Sequence, residues 1–153
     1  MTTSWNAFAA AAPDIAARGR AVLERSGIGE GLLATVRADA APRIHPVHVR
    51  IVAGRLLTFV IVGSAKAGDL AVDGRYALHA HQDPAVPHEF LVRGHAVAVV
   101  DASVRSEAAA EWSFAVDDGY VLYELSIDDA VFGERASADD WPPVYTSWRA
   151  ATD

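Results

Sequence analysis

The sequence predicts an α+β domain, mainly β: an antiparallel β-barrel of six to seven strands with peripheral helices. Three observations carry this reading. From residue 31 onward, short apolar segments are separated by turn residues at regular intervals, as in barrels and sandwiches. Helices between every pair of strands, which a doubly wound sheet requires, are absent. The run Leu56-Leu57-Thr58-Phe59-Val60-Ile61-Val62 barely alternates, so both of its faces are covered, one by a barrel interior and the other by a helix or a second subunit.

Residues 1–28 read as a helical segment packing on a barrel end, and residues 29–150 as the barrel, one domain overall. Ser4 caps a short turn and Pro13-Asp14 opens a helix. Ile15, Gly19, Val22 and Leu23 fall on one face of that helix. Ser26-Gly27 and Gly29 end it. Strands are expected over 31–37, 43–52 and 55–62, with Ala53-Gly54 as a hairpin tip. Ser64 caps a short helix through about Val72, closed by Asp73-Gly74. A fourth strand spans 75–81 and a fifth 88–100, where Gly94 marks a bulge or a close approach. Ser103 caps a helix that puts Val104, Ala108, Trp112 and Ala115 on one face. A sixth strand covers 120–127, and Trp141-Pro142-Pro143 leads into a last strand, 144–148.

Composition narrows the function classes. The chain has 153 residues and is 52% hydrophobic, enough for one core, although much of that fraction is Ala. It has no cysteine, which excludes disulfides and thiolate metal sites and fits a reducing compartment. The start lacks a basic region followed by an apolar core, and no apolar run nears the ~20 residues of a membrane helix. A cytoplasmic protein is the expectation. A net charge of −7 argues against backbone binding of nucleic acid. G-x-S-x-G, the Walker loop and G-x-G-x-x-G are all missing. The acidic pairs Asp117-Asp118 and Asp139-Asp140 sit in turns and read as solvated turn formers.

The order of motifs resembles the FMN-binding split-barrel family, the pyridoxamine 5'-phosphate oxidase-like proteins, over roughly residues 15–149. Leu32-Leu33-Ala34-Thr35-Val36 is similar to the family's opening strand, and Pro42-Arg43-Ile44-His45-Pro46-Val47 to its second. Gly63-Ser64-Ala65-Lys66 resembles the phosphate-binding S-x-K turn. Asp69-Leu70 and Asp73 to Leu78 resemble the helix and strand that follow. Two positions depart: Asp39-Ala40 stands for the usual Asp-Gly of the first turn, and Val60 for a polar residue after the third-strand aromatic.

This resemblance implies a split antiparallel β-barrel that forms a homodimer. It also implies a flavin-dependent oxidoreductase, with FMN at the dimer interface moving hydride or electrons to or from a small substrate. Ser64 and Lys66 would meet the flavin phosphate at a helix start. The competing reading of Lys66 is a solvated surface lysine. His45 takes a phosphate-contacting position or is a satisfied structural histidine; Pro46 and Val47 run beside the ring, and Arg50, on the opposite strand face from His45, joins the basic set. Phe59 and Val60 floor the ring pocket, against ordinary core for Phe59. Trp148 and Arg149 resemble the family's closing aromatic-basic pair, against a tail Trp packed on a partner. Arg75 is a second phosphate partner or a surface residue. Two alternatives share the fold. One is a deazaflavin (F-420)-dependent reductase, its acidic cofactor tail held by Arg43, Arg50, Arg55 and Arg75. The other is a non-catalytic ligand- or haem-binding barrel. His45, His48, His79 and His81 raise a metal site, but no third ligand converges in sequence, and none is assigned.

Overall fold

The computed structural model describes residues 2–152. Two helices open the chain, α1 (Trp5–Ala11) and α2 (Pro13–Leu23). Three strands follow: β1 (Gly29–Val36), β2 (Pro42–Val52) and β3 (Arg55–Ile61). Then come α3 (Ala65–Val72), β4 (Arg75–Ala80), β5 (Glu89–Ala98), α4 (Ala102–Ala110), β6 (Tyr120–Leu125), β7 (Asp129–Glu134) and β8 (Val144–Arg149). All pairings are antiparallel, in the order β4-β1-β2-β3-β6-β5, and β4 also pairs with β5, which closes a six-stranded barrel. The strands β7 and β8 extend the sheet from the other side of β5.

Side-chain alternation sorts the residues into two cores. Leu33, Val49, Leu56, Val60, Leu78, Val92 and Leu125 fill the barrel and its end, joined by Trp5, Phe8, Ile15 and Leu23 from the two N-terminal helices. The other face of β3 and β6 presents Leu57, Phe59 and Leu122, which pack under α4 on Ala108 and Trp112. Leu56 to Val60 are therefore buried without a break. The expected second cover of β3 is α4, a helix of the same chain.

Several local devices act as the sequence suggests. Ser4 and Ser64 accept hydrogen bonds from the third residue beyond each, Ala7 N and Ala67 N. Gly94 is a close approach: a Cβ there would overlap the Ser126 carbonyl oxygen.

Four details differ from expectation, the first being that α4 stops at Ala110, so Trp112 and Ala115, expected on its face, lie beyond it. Gly29 does not end α2 but opens β1, where a Cβ would collide with the Val49 backbone. The N-cap of α4 is Asp101, whose Oδ1 accepts from Ser103 N and Val104 N, rather than Ser103. Strand β7 was not foreseen. Its six residues, Asp-Ala-Val-Phe-Gly-Glu, carry a glycine and acidic ends, and pairing between β5 and β8 makes them a strand.

The β1–β2 turn keeps a left-handed residue without glycine, since Ala40 has φ 65°. The turn is held by Arg37 N on Ala41 O at 2.9 Å and Asp39 Oδ1 accepting from Ala41 N at 3.1 Å. A Cβ in that region costs about 1 kcal/mol, partly offset by glycine's greater freedom when unfolded. Ala40→Gly is expected to raise stability by about 0.5 kcal/mol, read as a higher urea midpoint at unchanged slope.

Candidate functional site

Helix α3 crosses the barrel wall beside β1 and β2, and one buried side chain sets its position. Asp69, 7% exposed, accepts from Thr35 Oγ1 of β1 at 2.7 Å and from Arg43 Nε of β2 at 2.8 Å. Burial alone pushes its pKa up. The hydrogen bonds and the Arg43 charge more than reverse this, so the carboxyl lies below its ordinary value. Lys66 is three residues earlier, in the first turn of α3 behind the Ser64 cap. It is partly buried, and desolvation pushes its ammonium pKa down. Among the described residues no carboxylate pairs with it. The nearby acid, Asp69, is already engaged.

His45 lies within electrostatic range of Lys66 on β2. Burial lowers its pKa first, then the positive charges of Lys66 and Arg43. Its Nε2 is buried with no hydrogen-bond partner among the described residues. The imidazole nitrogen is thus buried without a partner, and the ammonium has no carboxylate among the described residues: two polar groups in this region that the fold leaves unsatisfied.

Lys66 also lines the larger cavity, of about 530 Å³. This lies on the outer face of the barrel, where α4 stops covering β3. Pro46, Val47, Phe59 and Ile61 form its strand floor. Trp112 and Phe114, from the segment after α4, and Tyr120, at the head of β6, wall it, with Phe59 edge-on to Trp112 at 4.9 Å between ring centres and Phe114 against Tyr120 at 5.4 Å. Glu30, His48 and His81 form its polar side; Glu30 faces His48 across β1 and β2, and His81 Nδ1 is 3.6 Å from Glu30 Oε2. The cavity falls within the range of small-molecule sites, roughly 300–1,000 Å³. A smaller cavity, about 350 Å³ between α2 and β7, is lined by Arg18, His88 and Phe132, but its arginine is already held by Asp14 and Glu134.

Of the residues singled out in the sequence, Pro46, Val47, Phe59 and Lys66 meet in the cavity wall; His45 does not line it, though it lies within electrostatic range of Lys66. Ser64 caps the helix carrying Lys66. Val60 points into the barrel core and is fully buried. Arg50 is on the outer face of β2, donating to Gly27 O at 3.3 Å. Trp148 packs on Phe8 of its own chain, 5.1 Å between ring centres, and Arg149 is exposed next to it on β8; neither lines the cavity of this chain. Arg75 is bound to Asp73, whose carboxyl it holds down at a pKa of about 2. Arg55 pairs with Glu124 at 2.6 Å. Among the described residues no three His, Asp or Glu side chains gather as a metal site. Sequence reasoning missed Asp69 and the Trp112–Phe114–Tyr120 wall. It also passed over a signal open to counting: Lys66 is the only lysine among 13 basic residues, the other twelve being arginine.

No protein-family model matches the chain, and no curated protein matches it in sequence. Solved structures do match in shape. A heme binding protein from Mycobacterium smegmatis aligns with a TM-score of 0.67 at 15% identity, over 88% of this chain and 58% of that one. This chain thus spans less than two thirds of that protein. General Stress Protein 26 from Bacillus anthracis str. Sterne aligns at 0.62 and 18% identity, over 88% and 97%. PhzG from Burkholderia lata 383, in complex with tetrahydrophenazine-1-carboxylic acid, aligns at 0.56 and 15%, over 88% and 90%. The fold is the split barrel of the pyridoxamine 5'-phosphate oxidase-like proteins. On this split barrel the cavity occupies the outer wall, with α3 at one side of it and α4 at the other. Among the described residues no helix is long and apolar enough to cross a membrane.

Asp69 gives the site a pH signature. A carboxyl whose folded pKa is depressed adds stability above its unfolded value of about 3.9, and loses it as the pH falls through the folded value. Asp69→Asn is expected to cost about 1–3 kcal/mol at neutral pH, since Arg43 loses its counter-charge. The gap between variant and parent should hold from neutrality to about pH 4 and narrow below it, as read by urea unfolding across pH.

Proposed function

We propose that the chain is a flavin-binding split barrel that takes FMN in the outer cavity as a homodimer and serves as an oxidoreductase. The observation that carries this is the unpaired Lys66 in the first turn of α3, at the rim of an aromatic cavity. A phosphate dianion there would gain the ammonium and the first-turn amides of the helix. Pro46, Val47 and Phe59 offer a flat apolar floor for a ring system. Bound FMN would supply hydride and electron transfer, which needs no protein nucleophile. The protein's share is to hold the phosphate end, exclude water with Trp112 and Phe114, and present Glu30, His48 and His81 as hydrogen-bonding groups on the remaining side.

The dimer reading rests on a bare apolar face beside the cavity. Ile44 is 64% exposed and Leu32 39%. They share the outer face of β1 and β2 with Pro46, and Ala34 stands directly opposite Ile44. A second copy on this face would cover it and close the open side of the cavity. Trp148 and Arg149 could then serve a cavity only as the second copy's contribution.

Haem is the second reading, favoured by two imidazoles, His48 and His81, in the cavity wall and by the name of the Mycobacterium smegmatis neighbour. The deazaflavin reading has less support, because Arg43, Arg55 and Arg75 are each paired with an acid and Arg50 donates to a backbone carbonyl.

Titration of the purified protein with FMN, haem and the deazaflavin in parallel separates these. Saturable FMN binding is expected, and Lys66→Ala should weaken it roughly 10- to 100-fold, the worth of a charge-assisted contact. Affinity should also fall as the pH rises towards the depressed Lys66 value, because the anion binds the ammonium form. FMN affinity unchanged in Lys66→Ala removes the assignment, and a haem spectrum without flavin binding moves the function to the second reading. Light scattering tests assembly: the parent is expected at twice the chain mass, and Ile44→Asp at the chain mass.

A further inference from the structure

A lysine ammonium that is partly desolvated and lacks a counter-ion is destabilised relative to its free amine, and a free amine is a nucleophile. Lys66 meets both conditions. Burial is the cause of its lowered pKa. The acids near it are engaged elsewhere, Asp69 with Thr35 and Arg43, and Glu30 towards His81. The other titratable groups lining the same cavity are His48 on β2, His81 after β4 and Tyr120 on β6, and His45 on β2 is within electrostatic range of the amine. In front of the amine stand Phe59, Trp112, Phe114 and Tyr120, rings set edge-on or tilted to one another, which leave flat apolar surface for a planar guest.

We propose that Lys66 forms an imine with planar aromatic aldehydes that enter this cavity. The Nζ lone pair attacks the carbonyl carbon, and a C–N bond forms as the carbonyl oxygen takes up a proton. The carbinolamine then expels that oxygen as water, the nitrogen gives up its proton, and C=N remains. One water is released and nothing is oxidised or reduced. The proposal needs the amine and the cavity and does not depend on flavin binding; flavin, if it occupies the same cavity, would compete.

With one lysine in the chain the test is unambiguous. The purified full-length chain is incubated near neutral pH with 4-formylbenzoate and sodium cyanoborohydride, which fixes the imine as a secondary amine. N-acetyl-lysine amide in the same tube is the reference. Peptide mapping separates the Lys66 adduct from any on the chain's α-amino group. Lys66 is expected to react faster than the reference, as a partly desolvated amine lining an aromatic cavity should, and that ratio should drop when acetaldehyde replaces the aromatic aldehyde. Lys66→Arg, shown folded by circular dichroism, should lose the internal adduct. A Lys66 rate at or below the reference, or the same ratio for both aldehydes, overturns the proposal. Fast labelling in a protein that binds no FMN upholds it while the flavin reading fails; normal FMN binding with Lys66 at the reference rate does the reverse.

Discussion

Asp69 lies where α3 passes over β1 and β2, and one of its carboxylate oxygens receives hydrogen bonds from both strands. A charge held away from water has to be met by donors, or the group gives up its ionisation. Here Thr35 and Arg43 meet it, which fixes the helix against the strands: a shift of one residue would strand the carboxylate on one side and the guanidinium on the other. What α3 presents to the cavity depends on that anchor. Lys66 sits three residues before Asp69, in the first turn of the helix that Ser64 caps, so the amine's place follows from the carboxylate's. Asp69 itself is spent on Thr35 and Arg43 and makes no pair with Lys66.

The second constraint is β3, a strand buried on both faces. Its inward residues, Leu56 and Val60, belong to the barrel, and its outward residues, Leu57 and Phe59, belong to α4. Helix α4 is nine residues long and ends at Ala110, too short to run the length of the strand's outer face. The segment after it turns back with Trp112, Phe114 and Tyr120, and between those rings and the strand the wall is left open. The cavity is therefore a product of incomplete cover, apolar because the surface was built to be packed against.

Much of this was legible in the chain and some was not. The unbroken apolar run of β3, the Ser4 and Ser64 caps, Pro13 at the head of α2 and the glycine at 94 all act locally, so their signals survive in a short window of sequence. Lys66 was legible through its spacing from Ser64. Asp69 was not, because its meaning depends on Thr35 and Arg43, which are 34 and 26 residues away. The wall of Trp112, Phe114 and Tyr120 was hidden for the same reason, as Asp117-Asp118-Gly119 reads as a simple break. Strand β7 fell below notice because its neighbours rather than its composition make it a strand. The alternation on β2 placed Arg43 and His45 on one face and Arg50 on the other correctly. No window of sequence could say that Arg50 would be spent on the Gly27 carbonyl.

The two ends of the described chain are interlocked. Thr3 O accepts from Ile127 N at 2.8 Å, and Phe8 of α1 packs on Trp148 of β8. Asn6 N, in turn, donates to Gly54 O on the β2–β3 hairpin. On a ribosome, the N-terminal helices emerge first, but their apolar faces find their full set of partners only after residue 148 has been made. Until then Trp5 and Phe8 remain uncovered beside a barrel that cannot close before β6 is available. Assembly is set by contacts far apart in sequence, so the nascent chain carries exposed aromatic surface for most of its synthesis. The helices that precede the barrel in the chain complete their packing only when the last strand is in place.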